Sequence, residues 1–261
     1  AGTLRVFNLW MSNSTFERTS GSTDSYYFYV SDLDNHDNPS TEDIYIYNST
    51  IRFNTTSDGN YAFLFDIFTT GDIRIIDSEI NATRYRTSTI ELKGSEVLIQ
   101  NSTIWSGAYY SGSGYYCYWP YWDYNDDELW CNSNYGAYRI NLVSYLTFKV
   151  NNLTITDSIL KSTSEHTSIE ESSSSDYEYW RKAWTYVDVD VEYDMKVDDS
   201  LILGQVRNPS PDTRGRDFND QAYLDYDIAA QNLEVLNSTL MGKRVAGQGA
   251  WNFLTKIDSG G

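Results

Sequence analysis

One eight-residue stretch, Ile44-Tyr45-Ile46-Tyr47-Asn48-Ser49-Thr50-Ile51, constrains this chain more than any other feature, because variants of it return six more times. Each copy reads apolar, any, apolar, any, Asn or Asp, Ser: Leu9 to Phe16 around Asn13, Ile73 to Ile80 around Asp77, Val97 to Ile104 around Asn101, Leu153 to Ile159 around Asp157, Met195 to Leu201 around Asp199, and Leu233 to Leu240 around Asn237. The spacing is irregular, from 24 residues (Asp77 to Asn101) to 56 (Asn101 to Asp157). Alternation of period two argues strand. Ile46 and Ile51 are five residues apart and would face opposite sides of a straight strand, so the chain bends at the Asn or Asp. These are the non-glycine residues that most readily accept a left-handed backbone, which explains why either one serves.

A second strand precedes most copies: Tyr61 to Phe68, Thr89 to Lys93, Ala137 to Val143, Tyr186 to Val191 and Tyr223 to Ile228. Strand, turn, strand, corner and return make one coil of a solenoid, and such a coil buries its apolar face only by stacking on its neighbours. The expected fold is all-β, a right-handed parallel β-helix. The pattern resembles the pectin-lyase-like β-helix family. That resemblance implies a ladder of stacked corner side chains, Asn13, Asn48, Asn101 and Asn237 with Asp77, Asp157 and Asp199, pointing inward. It specifies architecture rather than activity, since the family includes lyases, hydrolases, tailspikes and non-catalytic surface proteins. A β-sandwich is the alternative, but sandwiches do not repeat one corner sequence.

The 261 residues suit one elongated domain, 1–261, and no long segment carries the 3.6 period of a helix. The chain opens on Ala1 without a charged-then-apolar leader, which reads as a signal already cleaved from a secreted protein. No apolar run reaches the length of a membrane span. A net charge of -18 argues against nucleic acid as a partner and for a solvated, cation-attracting surface. Seven Asn-x-Ser/Thr sequons fit export: Asn13, Asn48, Asn54, Asn81, Asn101, Asn152 and Asn237. Four are ladder positions, where an inward Asn could not carry a sugar, so Asn54, Asn81 and Asn152 are the better acceptors.

Four segments read as loops. Residues 31–42 carry Asp32, Asp34, His36, Asp37 and Pro39; a metal site is one reading and a solvated loop the simpler one. His36 and His166 are the only histidines, and neither sits in a zinc or triad constellation. The largest insertion, 107–135, holds both cysteines and Trp119, Tyr121, Trp122, Tyr124 and Trp130. Cys117 and Cys131 read as a disulfide worth about 3 kcal/mol in the chain-entropy model, with two buried thiols as the alternative. The loop's aromatics would stack on sugars, on another subunit or on one another. Residues 161–176 are Ser/Thr-rich with Glu165, Glu170 and Glu171, and 204–219 carry Arg207, Arg214 and Arg216.

Carboxylates recur on one face of two strands, Asp188 and Asp190 in one, Asp225 and Asp227 in the other. Stacked strands lie about 4.8 Å apart. Asp188 and Asp190 are therefore expected over Asp225 and Asp227, with Arg139 flanking. Unit charges about 5 Å apart repel by roughly 3 kcal/mol at an effective dielectric of 20, so the column calls for a cation, an arginine or raised pKa values. Enzymatically, as the resemblance to polysaccharide lyases and hydrolases implies, these residues bind calcium or act as acid and base; structurally, they bind counterions. No other cofactor is expected.

The favoured reading is a non-enzymatic, glycosylated, extracellular protein that assembles with itself into a filament, sheath or surface layer. In its Tyr, Ser, Thr and Asn richness the chain is similar to archaeal surface proteins. A polysaccharide lyase or hydrolase and a carbohydrate-binding adhesin are the alternatives. Neither end shows a polar cap. Residues Gly249 to Thr255 parallel Gly136 to Leu142, and Thr3 to Asn13 parallel Thr147 to Asp157. Leu4, Val6 and Leu9 of one copy are thus expected to complete a shared coil with Trp251, Phe253 and Leu254 of the next.

Overall fold

The computed structural model describes residues 2–20, 26–31, 39–55, 62–85, 87–110, 120–123, 128–131, 137–166, 178–208, 221–246 and 253–259. Its strands are β1 (Gly2–Val6), β2 (Trp10–Ser12), β3 (Thr15–Ser20), β4 (Tyr26–Val30), β5 (Ile44–Tyr47), β6 (Thr50–Thr55), β7 (Ala62–Phe68), β8 (Ile73–Ile76), β9 (Glu79–Tyr85) and β10 (Thr87–Gln100). They continue with β11 (Thr103–Tyr110), β12 (Pro120–Asp123), β13 (Glu128–Cys131), β14 (Ala137–Thr156), β15 (Ile159–His166), β16 (Glu178–Asp198), β17 (Leu201–Asn208), β18 (Gln221–Leu236), β19 (Thr239–Ala246) and β20 (Phe253–Ser259).

An 11-stranded sheet and a 7-stranded sheet face each other, and every neighbouring pair in them is parallel. This is a parallel β-helix, as the corner repeat predicts. A rung enters on the larger sheet, bends, runs to the corner, and returns on the smaller sheet. Where a linker separates entry and second strands the rung has two elements, as in β7 and β8. In β10, β14, β16 and β18 the strand passes through the bend, with a register shift between Val150 and Leu153 and between Val191 and Asp194.

Alternation decides which side chains enter the core. Inward columns stack one residue type on another: Phe28, Phe65, Ile90, Leu146, Val187 and Tyr226 in one, Ile44, Ile73, Val97, Leu153 and Met195 in the next, all nearly or fully buried. Each column is closed on both sides by the rungs above and below, which is why no single coil is stable alone. Gly204 is a tight point of the core, because a Cβ there would lie 2.9 Å from Tyr226 Cδ2 and 3.0 Å from Val187 Cγ2.

Asn13, Asn48, Asp77, Asn101, Asp157, Asp199 and Asn237 are the non-glycine residues of positive φ among the described residues, with φ between 44° and 53°. The corner they form differs from the expected inward ladder: all seven side chains are exposed. A left-handed residue at the bend points its side chain out, and the serine after it turns in. Ser49, Ser78, Ser102, Ser158 and Ser200 are buried. Each hydroxyl donates to the carbonyl two residues earlier, at 2.6 to 2.7 Å, and accepts the amide N–H of the serine one rung back, at 3.0 to 3.2 Å. The internal ladder is therefore made of serine, which satisfies amides that a buried corner would otherwise orphan.

Strands reach further than the loop assignments. β11 runs to Tyr110, β15 to His166 and β17 to Asn208, so residues 107–110, 161–166 and 204–208 belong to the smaller sheet. The polar composition of 161–166 hid this. Ser162 and Ser164 point inward and are buried because partners exist for their hydroxyls: Ser162 Oγ shares a 2.9 Å hydrogen bond with Ser144 Oγ, and Ser164 Oγ donates to Trp184 O at 2.6 Å. Inside the 107–135 insertion, β12 and β13 form an antiparallel hairpin with Pro120 opposite Cys131.

Candidate functional site

The acidic face lies on the outer surface of β14, β16 and β18, in a register that corrects the expected one. Asp188 stands beside Asp227, while Asp225 stands beside Tyr186 and Asp190 beside Ala229. On the other flank Asp188 faces Thr147 and Asp190 faces Lys149. Arg139 pairs in register with Trp180, eight residues upstream of Thr147 and roughly 26 Å along the strand, so it does not flank the acids. The inward columns fix this offset: sliding β18 by two residues would put Leu224 against Val187 and carry the Asn237 corner out of line with Asp199.

The result is a single cross-strand acid pair in register, Asp188 with Asp227, rather than two stacked pairs. Burial raises the Asp188 pKa, and Asp190, Asp227 and Asp225 push it the same way against the opposing charge of Lys149. Asp227 Oδ1 is shielded from solvent and has no hydrogen-bond partner among the described residues. Beside the pair runs a row of rings: Tyr145 and Tyr186 stack at 4.6 Å, Tyr186 and Tyr223 lie 5.6 Å apart, and Tyr223 donates to Asp225 Oδ2 at 3.3 Å. Burial also raises the Tyr186 pKa. Among the described residues no group of three or more His, Cys, Asp or Glu is arranged to hold a metal ion.

Two polar ladders run along the solenoid. At the left-handed corner Asn48 Nδ2 donates to Asn13 Oδ1 at 2.6 Å and Asn101 Nδ2 to Asp77 Oδ1 at 2.7 Å. At the opposite bend Asn152 Nδ2 donates to Glu96 Oε1 at 2.6 Å, Asn152 Oδ1 accepts the Asp194 amide at 3.0 Å, and Asn232 Nδ2 donates to Asp194 Oδ1 at 2.7 Å. This second ladder has no repeated sequence signature, because Glu, Asn and Asp substitute for one another along it. Of the sequons, Asn13, Asn48, Asn101 and Asn237 are exposed, Asn81 donates to Glu79 Oε1 at 3.1 Å, and Asn152 is held on both sides.

The first and last rungs among the described residues leave core columns open. Leu4 is 39% exposed, Phe16 37% and Val235 41%, whereas their column neighbours Phe28, Ile51 and Val197 are 3%, 0% and 0%. At the far end the Ser238 amide has no hydrogen-bond partner among the described residues, and at the near end Ser14 Oγ accepts none. A shallow open depression beside the first rung is lined by Asn8, Leu9, Trp10 and Tyr45, among others.

The end strands overlap rather than complement each other. β20 pairs with β18, Phe253 on Leu224 and Ile257 on Ile228; β1 pairs with β4, Leu4 on Phe28 and Val6 on Val30. Followed through the sheet, Leu4 shares its column with Thr255 and Val6 with Ile257. The expected alignment of Leu4 with Phe148 is off by two because Val6 and Leu9 are three residues apart, while Phe148 and Leu153, which hold the same columns, are five apart. Both ends supply the entry strand of a rung.

Asp32, Asp34, His36, Asp37, Cys117, Trp119, Tyr124, Arg214, Arg216 and Trp251 lie outside the described residues, as do the side chains of Asn54, Tyr121, Trp122, Trp130, Cys131, Arg139, His166, Phe253 and Leu254. No helix among the described residues is long and apolar enough to cross a membrane. Comparison with family models, with curated proteins and with solved structures finds no match to this chain.

Proposed function

We propose that this chain is a structural protein of the cell exterior that associates end to end into a filament, sheath or surface layer and carries N-linked sugar. The supporting observation is the pair of open end rungs: Leu4 and Phe16 at one end and Val235 at the other are core-column residues whose counterparts inside the solenoid are buried. A second copy supplies the missing rung with the same periodicity, and a heterologous contact of this kind propagates instead of closing. The net charge of -18 and the exposed corner sequons fit an exterior, hydrated surface. Electron microscopy and light scattering of the purified chain test the reading. End-to-end polymers are expected, and Phe16→Lys or Val235→Lys yields folded monomers. A wild-type chain that stays monomeric sinks the proposal, and polymers indifferent to both substitutions point to lateral association.

The Asp188 and Asp227 pair supports a second reading. A carboxyl of raised pKa with a second acid in register beside it is an arrangement that suits acid and base work on a glycosidic bond, and the neighbouring Tyr145, Tyr186 and Tyr223 rings suit a saccharide surface. Release of reducing ends from acidic polysaccharides, lost in Asp188→Asn, would establish it. A blank panel of substrates removes it.

A further inference from the structure

β1 and β20 hold the same five columns of the solenoid at opposite ends, and this overlap bears on how two copies meet. Resting on the end-to-end reading above, we propose that copies join by strand exchange: β20 of one copy displaces β1 of the next and pairs with that copy's β4. Two of the five shared columns carry like residues in the two strands. Arg5 and Lys256 hold one column of the register, and Val6 and Ile257 another. Arg5 lies over the Tyr29 ring at 5.7 Å, so the incoming strand brings a lysine to a column position already suited to a cation.

Simple stacking without exchange is sterically blocked. To continue the corner ladder, Asn13 and Ser14 of the second copy must sit directly over Asn237 and Ser238 of the first. The β1 strand of the same rung would then need the edge of β18 that β20 occupies. One of the two equivalent strands must leave. β20 is the better occupant: it spans seven residues against five in β1, and it puts Phe253 where β1 has Gly2. With β20 on β18 of its own chain and on β4 of the next, both edges of one strand are paired across the junction. β2 and β3 of the second copy then cover Leu233–Leu236 and β19 of the first, closing the columns of Val235 and Phe16.

The corner chemistry of the two ends agrees with this register. Along the solenoid each corner serine amide donates to the hydroxyl of the serine one rung on, from Ser14 to Ser238. Ser238 N–H and the acceptor side of Ser14 Oγ are the two positions left over, a donor at one end and an acceptor at the other. A junction with Asn13 over Asn237 joins them and makes the ladder continuous from copy to copy. The partner is thus a second copy of this chain, held through β20.

Deletion of each strand gives opposite outcomes, read by light scattering and electron microscopy. Removing residues 2–6 frees the β4 edge, so exchange predicts faster assembly at lower protein concentration. Removing residues 253–259 predicts monomers. The reverse pair, monomers without β1 and faster assembly without β20, overturns exchange and shows β1 docking on β18, with end-to-end association intact. Wild-type protein that never assembles overturns this proposal and the functional reading together, while polymers unaffected by either deletion overturn exchange alone. Should a deletion fail to fold, Val6→Lys and Ile257→Lys unseat the same strands in the full-length chain and carry the same opposite expectations, with circular dichroism reporting the fold.

Discussion

The amide of Ser102 donates to Ser158 Oγ at 3.1 Å across a gap of 56 residues in sequence, and both serines are buried. One hydroxyl thereby holds two rungs at fixed height. Its removal leaves an interior amide without a partner, which costs about 1–3 kcal/mol. Ser158→Ala is expected to accelerate hydrogen exchange of the Ser102 amide by roughly 5- to 150-fold, the kinetic equivalent of that energy. Exchange unchanged from wild type would mean that water replaces the hydroxyl.

The left-handed corners discriminate among substitutions by backbone, not by side-chain size. Asn101 has φ 44°. A β-branched residue there meets the left-handed penalty of about 1–2 kcal/mol, so Asn101→Val lowers the melting temperature. Asn101→Gly relieves the strain and forfeits only the exposed 2.7 Å hydrogen bond to Asp77, leaving a smaller loss. Thermal melts of the two variants should fall in that order.

Space is the limit at Gly204. Its missing Cβ would meet Tyr226, Leu224 and Val187 side chains at 2.9 to 3.1 Å, all in the closed core. Overpacking of this kind destabilises by about 1–3 kcal/mol. Gly204→Ala should lower the denaturation midpoint, and Gly204→Ala combined with Val187→Ala should recover part of the loss. A double variant no better than the single one would place the strain elsewhere.

Asp188 sets a pH dependence whose sign follows from its environment. Burial and the neighbouring carboxylates raise its pKa in the folded chain above the unfolded value. Its protonated form is therefore favoured by folding; that stability is fully present below the unfolded pKa and is lost as pH rises through the folded one. Asp188→Asn is expected to match wild type in acid and to melt higher at pH 7. Millimolar calcium tests the remaining role of the pair: a wild-type melting shift that Asp188→Asn abolishes would assign it to cation binding.

Much of the architecture is legible in the sequence for a local reason. The corner needs a residue that tolerates positive φ followed by one that can bond its own backbone, so Asn-Ser or Asp-Ser recurs wherever the chain turns. Alternation of apolar residues around it then assigns the inward face. The orientation of the corner was not legible: sequence says that Asn48 and Ser49 repeat, but only the rung geometry decides that Asn48 faces solvent and Ser49 the core. The acid site depended still more on tertiary structure. Asp188, Asp190, Asp225 and Asp227 advertise themselves by alternation, yet which of them meet is set by the register of β18 on β16, fixed by core columns and corners far along the strand. The same holds for the partner of Arg139 and for the inward turn of Ser162 and Ser164. A polar residue's place is decided by what the neighbouring rung offers it, and that neighbour is dozens of residues away in the chain.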